Sequence, residues 1–423
     1  MNTEELRIVA STYGTPTYIF DVREVEAQIR LLRSLLPEGT GLCFAVKANP
    51  FLIPYVADMV DRLEVCSPGE YEICIQTEIA PEKIVVSGVN KTYESMKRIL
   101  SYSKGAGIYT IESEEHAKIL RTLAEKNQMQ LSVLIRLSSG NQFGVDAETF
   151  IRLAKEVQES PYLTLAGVHY YAGTQKRQSK LEKEMDTLAV FAETFEAETG
   201  MKLPELEYGA GMKVSYFVND SEKDQRESEP EPQIQALAEK LRTCAYGKKT
   251  IELGRFLVSM SGYYLTRVMD VKRTAQPGFL ILDGGIHQIN YYGWMMGMKQ
   301  PEIEVLAEKD GDDCILLEHG GADRKSECSL PENSDAGEMF HLCGSLCTVN
   351  DVLARDVTLH NPEKGDVICF KRCGAYAATE GMAMFLSREL PQVLICRTDG
   401  KIEKLRDRVE TYPFHGSGNW NRM

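Results

Sequence analysis

The chain has 423 residues, a hydrophobic fraction of 43% and a net charge of −14. That length accommodates two or three domains with ordinary cores, and the acidic balance without any basic run excludes a nucleic-acid binder, because phosphate neutralisation needs a basic face. No apolar stretch approaches the ~20 residues of a membrane span, and eleven cysteines without a CxxC pair fit reduced thiols better than a disulfide framework or a zinc site, so no metal is expected.

The opening residues Met1 to Arg7, with Glu4 and Glu5, carry neither the basic nor the apolar region of a leader, and the expected compartment is the cytoplasm. From residue 41 to 253 short apolar strands alternate with amphipathic helical stretches, the pattern of parallel β/α architecture. Eight strands are predicted, at Gly41 to Val46, Arg62 to Cys66, Lys83 to Ser87, Gly107 to Ile111, Leu131 to Leu137, Leu163 to His169, Glu205 to Tyr208 and Thr250 to Leu253. Helical patterns between them include Pro68 to Gln76, Thr92 to Tyr102, Ser113 to Glu125, Ala147 to Gln158 and Leu181 to Thr199, several opened by Ser or Thr caps. An open doubly wound sheet also fits the alternation, while eight units favour closure into a (β/α)8 barrel. Ser221 to Pro232, dense in Glu, Asp and Pro, reads as a mobile surface loop. Beyond residue 256 the runs Gly262 to Val271, Phe279 to Asp283, Cys314 to Glu318, Asp366 to Lys371 and Gln392 to Arg397 read as a second, all-β domain.

In a β/α barrel chemistry gathers at the carboxyl ends of the strands. The first strand ends in Lys47, the fifth carries Arg136, and the sixth ends in His169, Tyr170 and Tyr171, then Gly173 and Thr174. Strand seven gives Gly209, Ala210 and Gly211, and strand eight gives Glu252, Gly254 and Arg255. An ammonium at the mouth of a buried strand is costly to keep charged, so the pKa of Lys47 is expected to fall and expose an amine able to form a Schiff base. A lysine whose stem merely snorkels to water is the commoner outcome for a lone strand-end lysine. Likewise a Gly-Ala-Gly turn alone is more often a tight turn than an anion nest, and a strand-end carboxylate more often a cap. Together, one amine, one small-residue turn, one carboxylate and one arginine suit a cofactor with an aldehyde, a phosphate and a basic ring nitrogen, which is pyridoxal 5'-phosphate.

The motifs FAVKANP around Lys47, CSPGE around Glu70, VSGVNKT, GVHYYAGTQ, YGAGMKVSY, ELGR, DGG, CGSLCTVNDVLARD and CGAY occur in the order of a known family. The sequence resembles the fold-type III pyridoxal-phosphate decarboxylases, which include diaminopimelate and ornithine decarboxylases. The resemblance implies a barrel over residues 22 to 258, a β-domain formed by 1 to 21 and 259 to 423, and a homodimer with shared active sites. It implies that Lys47 carries the cofactor, that Thr174, Gly209, Ala210, Gly211 and Gly254 hold its phosphate, and that Glu252 keeps its ring nitrogen protonated. Arg136, His169, Tyr171, Arg255 and Tyr376 complete the implied cofactor site, and Cys347 becomes the proton donor in the partner's site. Read alone, Cys347 at an apolar strand edge would be a buried small hydrophobe.

Several residues depart from the familiar members. Tyr171 stands where members acting on free amino acids place a histidine, and a tyrosine can still stack on a ring. Thr348 follows Cys347 where diaminopimelate and ornithine decarboxylases carry an acidic residue for a distal ammonium, and Tyr291 stands where an arginine would take a carboxylate. Losing a buried charge partner costs several kcal/mol of binding, roughly, so free diaminopimelate, ornithine and lysine are expected to be poor substrates. The pattern is similar to that of the butirosin-pathway decarboxylase of carrier-protein-linked glutamate and of siderophore-pathway decarboxylases. His287, Gln288, Thr348, Arg255 and Tyr376 are then the expected substrate contacts. An acidic carrier protein would need a basic patch on this acidic chain, for which Arg324 and Lys325, or Lys299 beside Trp294, Met295, Met296 and Met298, are candidates, although such residues are more often solvated surface or core. A diaminopimelate decarboxylase, an amino-acid racemase, or a non-catalytic regulatory relative are the alternative readings.

Overall fold

A computed structural model describes residues 1–273, 276–291, 296–306 and 337–416. The chain forms two compact units, one of Met1–Arg23, Tyr216–Asp220 and Ser259–Met423, the other of Glu24–Ser215 and Ser221–Val258. After strand β1 (Thr17–Asp21), which belongs to the first unit, come the strands β2 (Gly41–Ala45), β3 (Arg62–Val65), β4 (Ile84–Val86), β5 (Ile108–Ile111), β6 (Leu131–Arg136), β7 (Leu163–Tyr171), β8 (Glu205–Gly209) and β9 (Lys248–Leu253). β2 to β9 pair in sequence order, all parallel, and β9 returns to β2 to close the barrel. These are the eight strands expected from the apolar runs, and the closure settles the choice between barrel and open sheet.

The strands read as apolar runs because helices cover their outer face and side chains fill the interior. The helices begin where side-chain oxygens satisfy orphan amides. Ser67 accepts from the Glu70 N–H, Thr92 from Ser95, Ser113 from His116 and Asp146 from Thr149. The stretch expected to be a mobile loop is instead helical, at Glu222–Glu227 and from Pro230 to Thr243. Ser221 caps the first of these, and Lys213 pairs with both Asp224 and Glu227, so the local density of acid is neutralised from outside the segment.

In the other unit, β1 lies between β10 (Gly262–Lys272), which it pairs antiparallel, and β16 (Gln392–Cys396), which it pairs parallel. The sheet continues with β11 (Gly278–Leu282), β12 (Ile303–Leu306), β13 (Glu338–Cys343), β14 (Val352–Leu359), β15 (Val367–Phe370) and β17 (Ile402–Arg406). Its core packs Leu6, Val9 and Ala10 of the helix Thr3–Tyr13 with Ile19, Leu265, Cys369 and Leu394. Of the strands expected here, Cys314 to Glu318 lies outside the described residues. β1, β12, β13, β14 and β17 are additions to the expected set, and polar residues interrupt the runs of the last four. Lys299 pairs with Asp220 at 3.3 Å, which answers its charge inside this unit. Arg324, Lys325, Trp294 and Met295 lie outside the described residues.

One irregularity shapes the barrel. The pairing of β6 with β7 shifts between Val133 and Leu134, so that Leu165 and Gly167 face consecutive residues and Ala166 is extra. Gly167 has φ +152°, and a Cβ there would lie 2.0 Å from the carbonyl oxygen of Glu205 on β8. No side chain fits against a backbone carbonyl at that distance. Gly167→Ala is therefore expected to destabilise the fold by about 2 kcal/mol or more, read as a lowered urea midpoint, whereas Gly69→Ala, whose backbone is not in the left-handed region and whose added Cβ would come no nearer than 3.7 Å to Ser67 Oγ, should shift it far less.

Candidate active site

Side chains alternate between the two faces of a strand, so β3 sends Arg62 and Glu64 to one face, β8 sends Glu205 and Glu207, and β9 sends Thr250 and Glu252. All three carboxylates Glu64, Glu207 and Glu252 are buried. Lys47 follows β2 in a short 3-10 turn, Val46–Ala48. Its Nζ lies 2.8 Å from Glu64 Oε2 and 3.7 Å from Glu252 Oε1, with Cys66 Sγ at 3.5 Å. The other oxygen of Glu252 is 2.9 Å from His169 Nε2 on β7. One amine, one imidazole and two carboxylates therefore share the carboxyl end of the barrel.

This geometry corrects the expected direction for Lys47. Burial pulls its pKa down, as anticipated, but the adjacent Glu64 and Glu252 outweigh burial and hold it well above the ordinary lysine value. Glu64 is held below its ordinary value, because Lys47 overcomes the burial that would raise it. Burial and the negative charge of Glu64 together push the Cys66 thiol up. Strand-end position alone does not reveal Glu64, which sits inside an apolar run; the signal for it is the alternation of β3.

Deeper in the barrel Arg62 donates to Glu205 at 2.6 Å and to Glu207 at 2.7 Å. Glu207 Oε1 and His169 Nδ1 are buried without a hydrogen-bond partner among the described residues. Burial, reinforced by Glu252, pushes the Glu207 carboxyl up to about 7 despite the lowering pull of His169 and Arg62. A second buried group sits beside the first. Arg136 donates to Glu112 at 2.9 Å and stacks its guanidinium 4.7 Å from the Phe143 ring centroid, and Lys91 lies 3.7 Å from the same carboxylate. Burial lowers Lys91 to about 8. Lys91 and Glu112 are not among the residues expected from the sequence, although Lys91 lies within the VSGVNKT motif.

The turn Gly209, Ala210, Gly211 leaves β8 where expected. Gly211 has φ +58°, and a Cβ on it would lie 2.2 Å from the Gly173 carbonyl oxygen; one on Gly209 would lie 2.5 Å from the Tyr171 ring. The loop from β7, carrying Tyr171, Gly173 and Thr174, thus packs directly on this turn. Gly254 and the buried Arg255 follow β9 at the same end of the barrel.

The remaining residues expected at the site belong to the sheet unit. Cys347 is exposed in the turn after β13, not buried as the packing alternative would have it. That turn is organised by Asp351, whose carboxylate accepts from the backbone of Ile286 at 2.8 Å and of Leu346 at 2.7 Å. Thr348 is half-buried within it, and Tyr376 adopts φ +64° in the CGAY turn. His287 is buried, and burial lowers it to about 4, so its ring is neutral. The Gln288 side chain is engaged in the sheet: its amide nitrogen donates to the Glu389 carbonyl at 2.9 Å and its amide oxygen accepts from the Tyr264 hydroxyl at 2.6 Å. Tyr291 is likewise buried and donates to the Lys371 carbonyl.

The donor set in the barrel fits pyridoxal phosphate. It offers an amine for the aldehyde, a carboxylate fixed by an imidazole for the ring nitrogen, an aromatic ring beside it, and a small-residue turn for the phosphate. Residues 22–259 match the family model for the pyridoxal binding domain of pyridoxal-dependent decarboxylases. The chain belongs to this family, and it is a pyridoxal-phosphate-dependent amino-acid decarboxylase of barrel-plus-sheet architecture.

Among its relatives, diaminopimelate decarboxylase of Pseudomonas aeruginosa is 27% identical over 395 residues, covering 87% of this chain and 84% of the relative. An L-glutamyl-(BtrI acyl-carrier protein) decarboxylase of Niallia circulans is 25% identical, covering 96% and 94%. A 2-[(L-alanin-3-ylcarbamoyl)methyl]-2-hydroxybutanedioate decarboxylase of Staphylococcus aureus is 24% identical, covering 92% and 96%. The crystal structure of Helicobacter pylori diaminopimelate decarboxylase with L-lysine shares the fold, with a TM-score of 0.77 at 22% identity over 97% and 98% of the two chains. Among the described residues no helix is long and apolar enough to cross a membrane.

The charge state of Glu207 gives a test that requires no substrate. A carboxyl raised from 4.5 to about 7 holds its proton more tightly folded than unfolded. Its contribution to stability is complete at low pH and is lost as pH rises from about 4.5 through 7, a change on the order of 3 kcal/mol. Relative to wild type, Glu207→Gln should gain in unfolding midpoint as pH climbs through that window; a difference that stays constant with pH would show that Glu207 does not titrate there.

Proposed function

We propose that the chain removes the α-carboxylate of an amino acid whose side chain is extended by a carrier-protein, amide or ester linkage. The observation that carries this reading is the lack of charge where a free distal group would be gripped: Thr348 follows Cys347, and the Tyr291 hydroxyl is turned into the sheet core. Two relatives bear names that describe conjugated amino acids, which supports it. The diaminopimelate reading has the support of relatives of that name, and it requires grips that these two positions do not supply.

Bound pyridoxal phosphate supplies an aldehyde for the substrate amine and an electron-accepting ring that stabilises the negative charge left on Cα when carbon dioxide departs. Lys47 Nζ is the amine that holds the cofactor. Glu252 keeps a proton on the ring nitrogen, and His169, bonded to its other oxygen, fixes the carboxylate in orientation. Gly209, Ala210, Gly211, Thr174 and Gly254 would receive the phosphate, Tyr171 or His169 would stack on the ring, Arg136 would complete the cofactor set, and Arg255 and Tyr376 would serve cofactor and substrate. His287, neutral and buried, and Thr348 offer hydrogen bonds without charge. Cys347, supplied by a second copy of the chain in a homodimer with shared sites, gives the proton to Cα. A racemase is disfavoured because its partner-derived base is a tyrosine, and a regulatory relative because Lys47 and the glycine turn are intact.

A carbon dioxide release assay separates the readings. Glutamate or diaminopropionate presented as a thioester or amide should turn over with kcat/KM roughly a hundredfold or more above that of free diaminopimelate, the size expected from one missing buried charge partner. Equal or better release from free diaminopimelate would overturn the conjugate reading, and no release from any amino acid would overturn the decarboxylase roles of Lys47 and Cys347.

A further inference from the structure

Lys176 lies just beyond the GTQ motif on the loop that follows β7, and it is almost wholly buried. Its backbone N–H donates to the Gly211 carbonyl at 2.9 Å, while its Nζ donates to the Gly209 carbonyl at 3.0 Å. One residue therefore ties down both outer carbonyls of the turn Gly209, Ala210, Gly211. The Nζ also donates to Glu184 Oε2 at 2.7 Å, an oxygen that accepts from the Tyr208 hydroxyl at 2.8 Å as well. The ammonium lies 5.5 Å from the centroid of Tyr171 and 5.1 Å from that of Tyr208.

A buried lysine is retained only where its charge is answered and its donors are used. Here Glu184 answers the charge, and the bonds run to the one stretch of backbone that must present its amides to an anion. Carbonyls held on the lysine side cannot turn toward the phosphate and repel it, and a turn held in one conformation loses little freedom when the anion arrives. The stem is part of the same packing, since a Cβ on Gly211 would lie 2.9 Å from Lys176 Cε. Lys176 touches neither Lys47 nor the carboxylates around it.

We propose that Lys176 is a positioning residue for the cofactor phosphate: it clamps the carbonyls of Gly209 and Gly211 so that the turn is preset as an anion nest. The inference rests on the reading that this turn receives the phosphate. Its test compares two ligands of the apoprotein, pyridoxal 5'-phosphate and pyridoxal, which share the aldehyde and ring and differ only in the phosphate. Affinities are read by absorbance titration without any substrate.

Wild type should bind the phosphorylated form far more tightly, and Lys176→Met, which removes the Nζ bond to Gly209 and keeps the backbone bond to Gly211, should shrink that preference by roughly tenfold to a hundredfold, the size of one hydrogen bond involving a charged group, while leaving pyridoxal affinity within about twofold. Because Lys176→Met strands Glu184 as an unpaired buried charge, the double variant Lys176→Met/Glu184→Gln removes both charges together and should show the same selective loss. Pyridoxal binding reports in the same titration whether each variant retains a folded barrel. Preserved preference in the double variant overturns the clamp. Equal falls for both ligands overturn it too, since they would mark general loosening. Absence of any preference in wild type would instead overturn the phosphate reading of the turn itself.

Discussion

The interior of the barrel is built around a charge balance that begins at Lys47. Its ammonium answers Glu64 directly and Glu252 at longer range, and His169 shares Glu252. Below them Arg62 answers Glu205 and Glu207. Buried carboxylates are tolerable only with partners and hydrogen bonds, and removing one member of such a set leaves a charge in a medium that solvates it poorly. The same groups that make the site chemically capable also restrict which residues the interior accepts. A barrel filled by branched apolar layers would be easier to stabilise and could not hold this cofactor.

Geometry turns this balance into a directed site. The eight strands are parallel and end on one side, so residues distant in sequence meet: Glu252 lies within hydrogen-bond reach of His169 and 3.7 Å from Lys47. The extra residue at Ala166 matters for the same reason. It lets β7 run on to Tyr171 with His169 opposite Arg136 on one side and Glu207 on the other, one layer below Gly209, which Tyr171 faces.

Much of this is legible in the sequence because the signals coincide. Lys47, His169 and Glu252 are polar residues at the ends of apolar runs, and that contrast marks them. Glu64, Glu207 and Arg62 are no less important to the electrostatics, yet each lies within or at the start of a strand, where only alternation places it inside. Local pattern gives the wrong direction for the Lys47 shift for this reason, since it shows the burial and not Glu64. The acidic segment after Ser221 looks like a loop because its neutralising partner, Lys213, comes from another element. The strands β12, β13, β14 and β17 escape notice because their pattern mixes polar with apolar residues, and the commitment of Gln288 to the sheet depends on Tyr264 and on the Glu389 carbonyl, contacts that no local pattern announces.

An amine kept charged between two carboxylates is a poor nucleophile. The chemistry proposed for Lys47 needs that proton to leave, so the two carboxylates that hold the charged amine in place also govern how readily it becomes neutral.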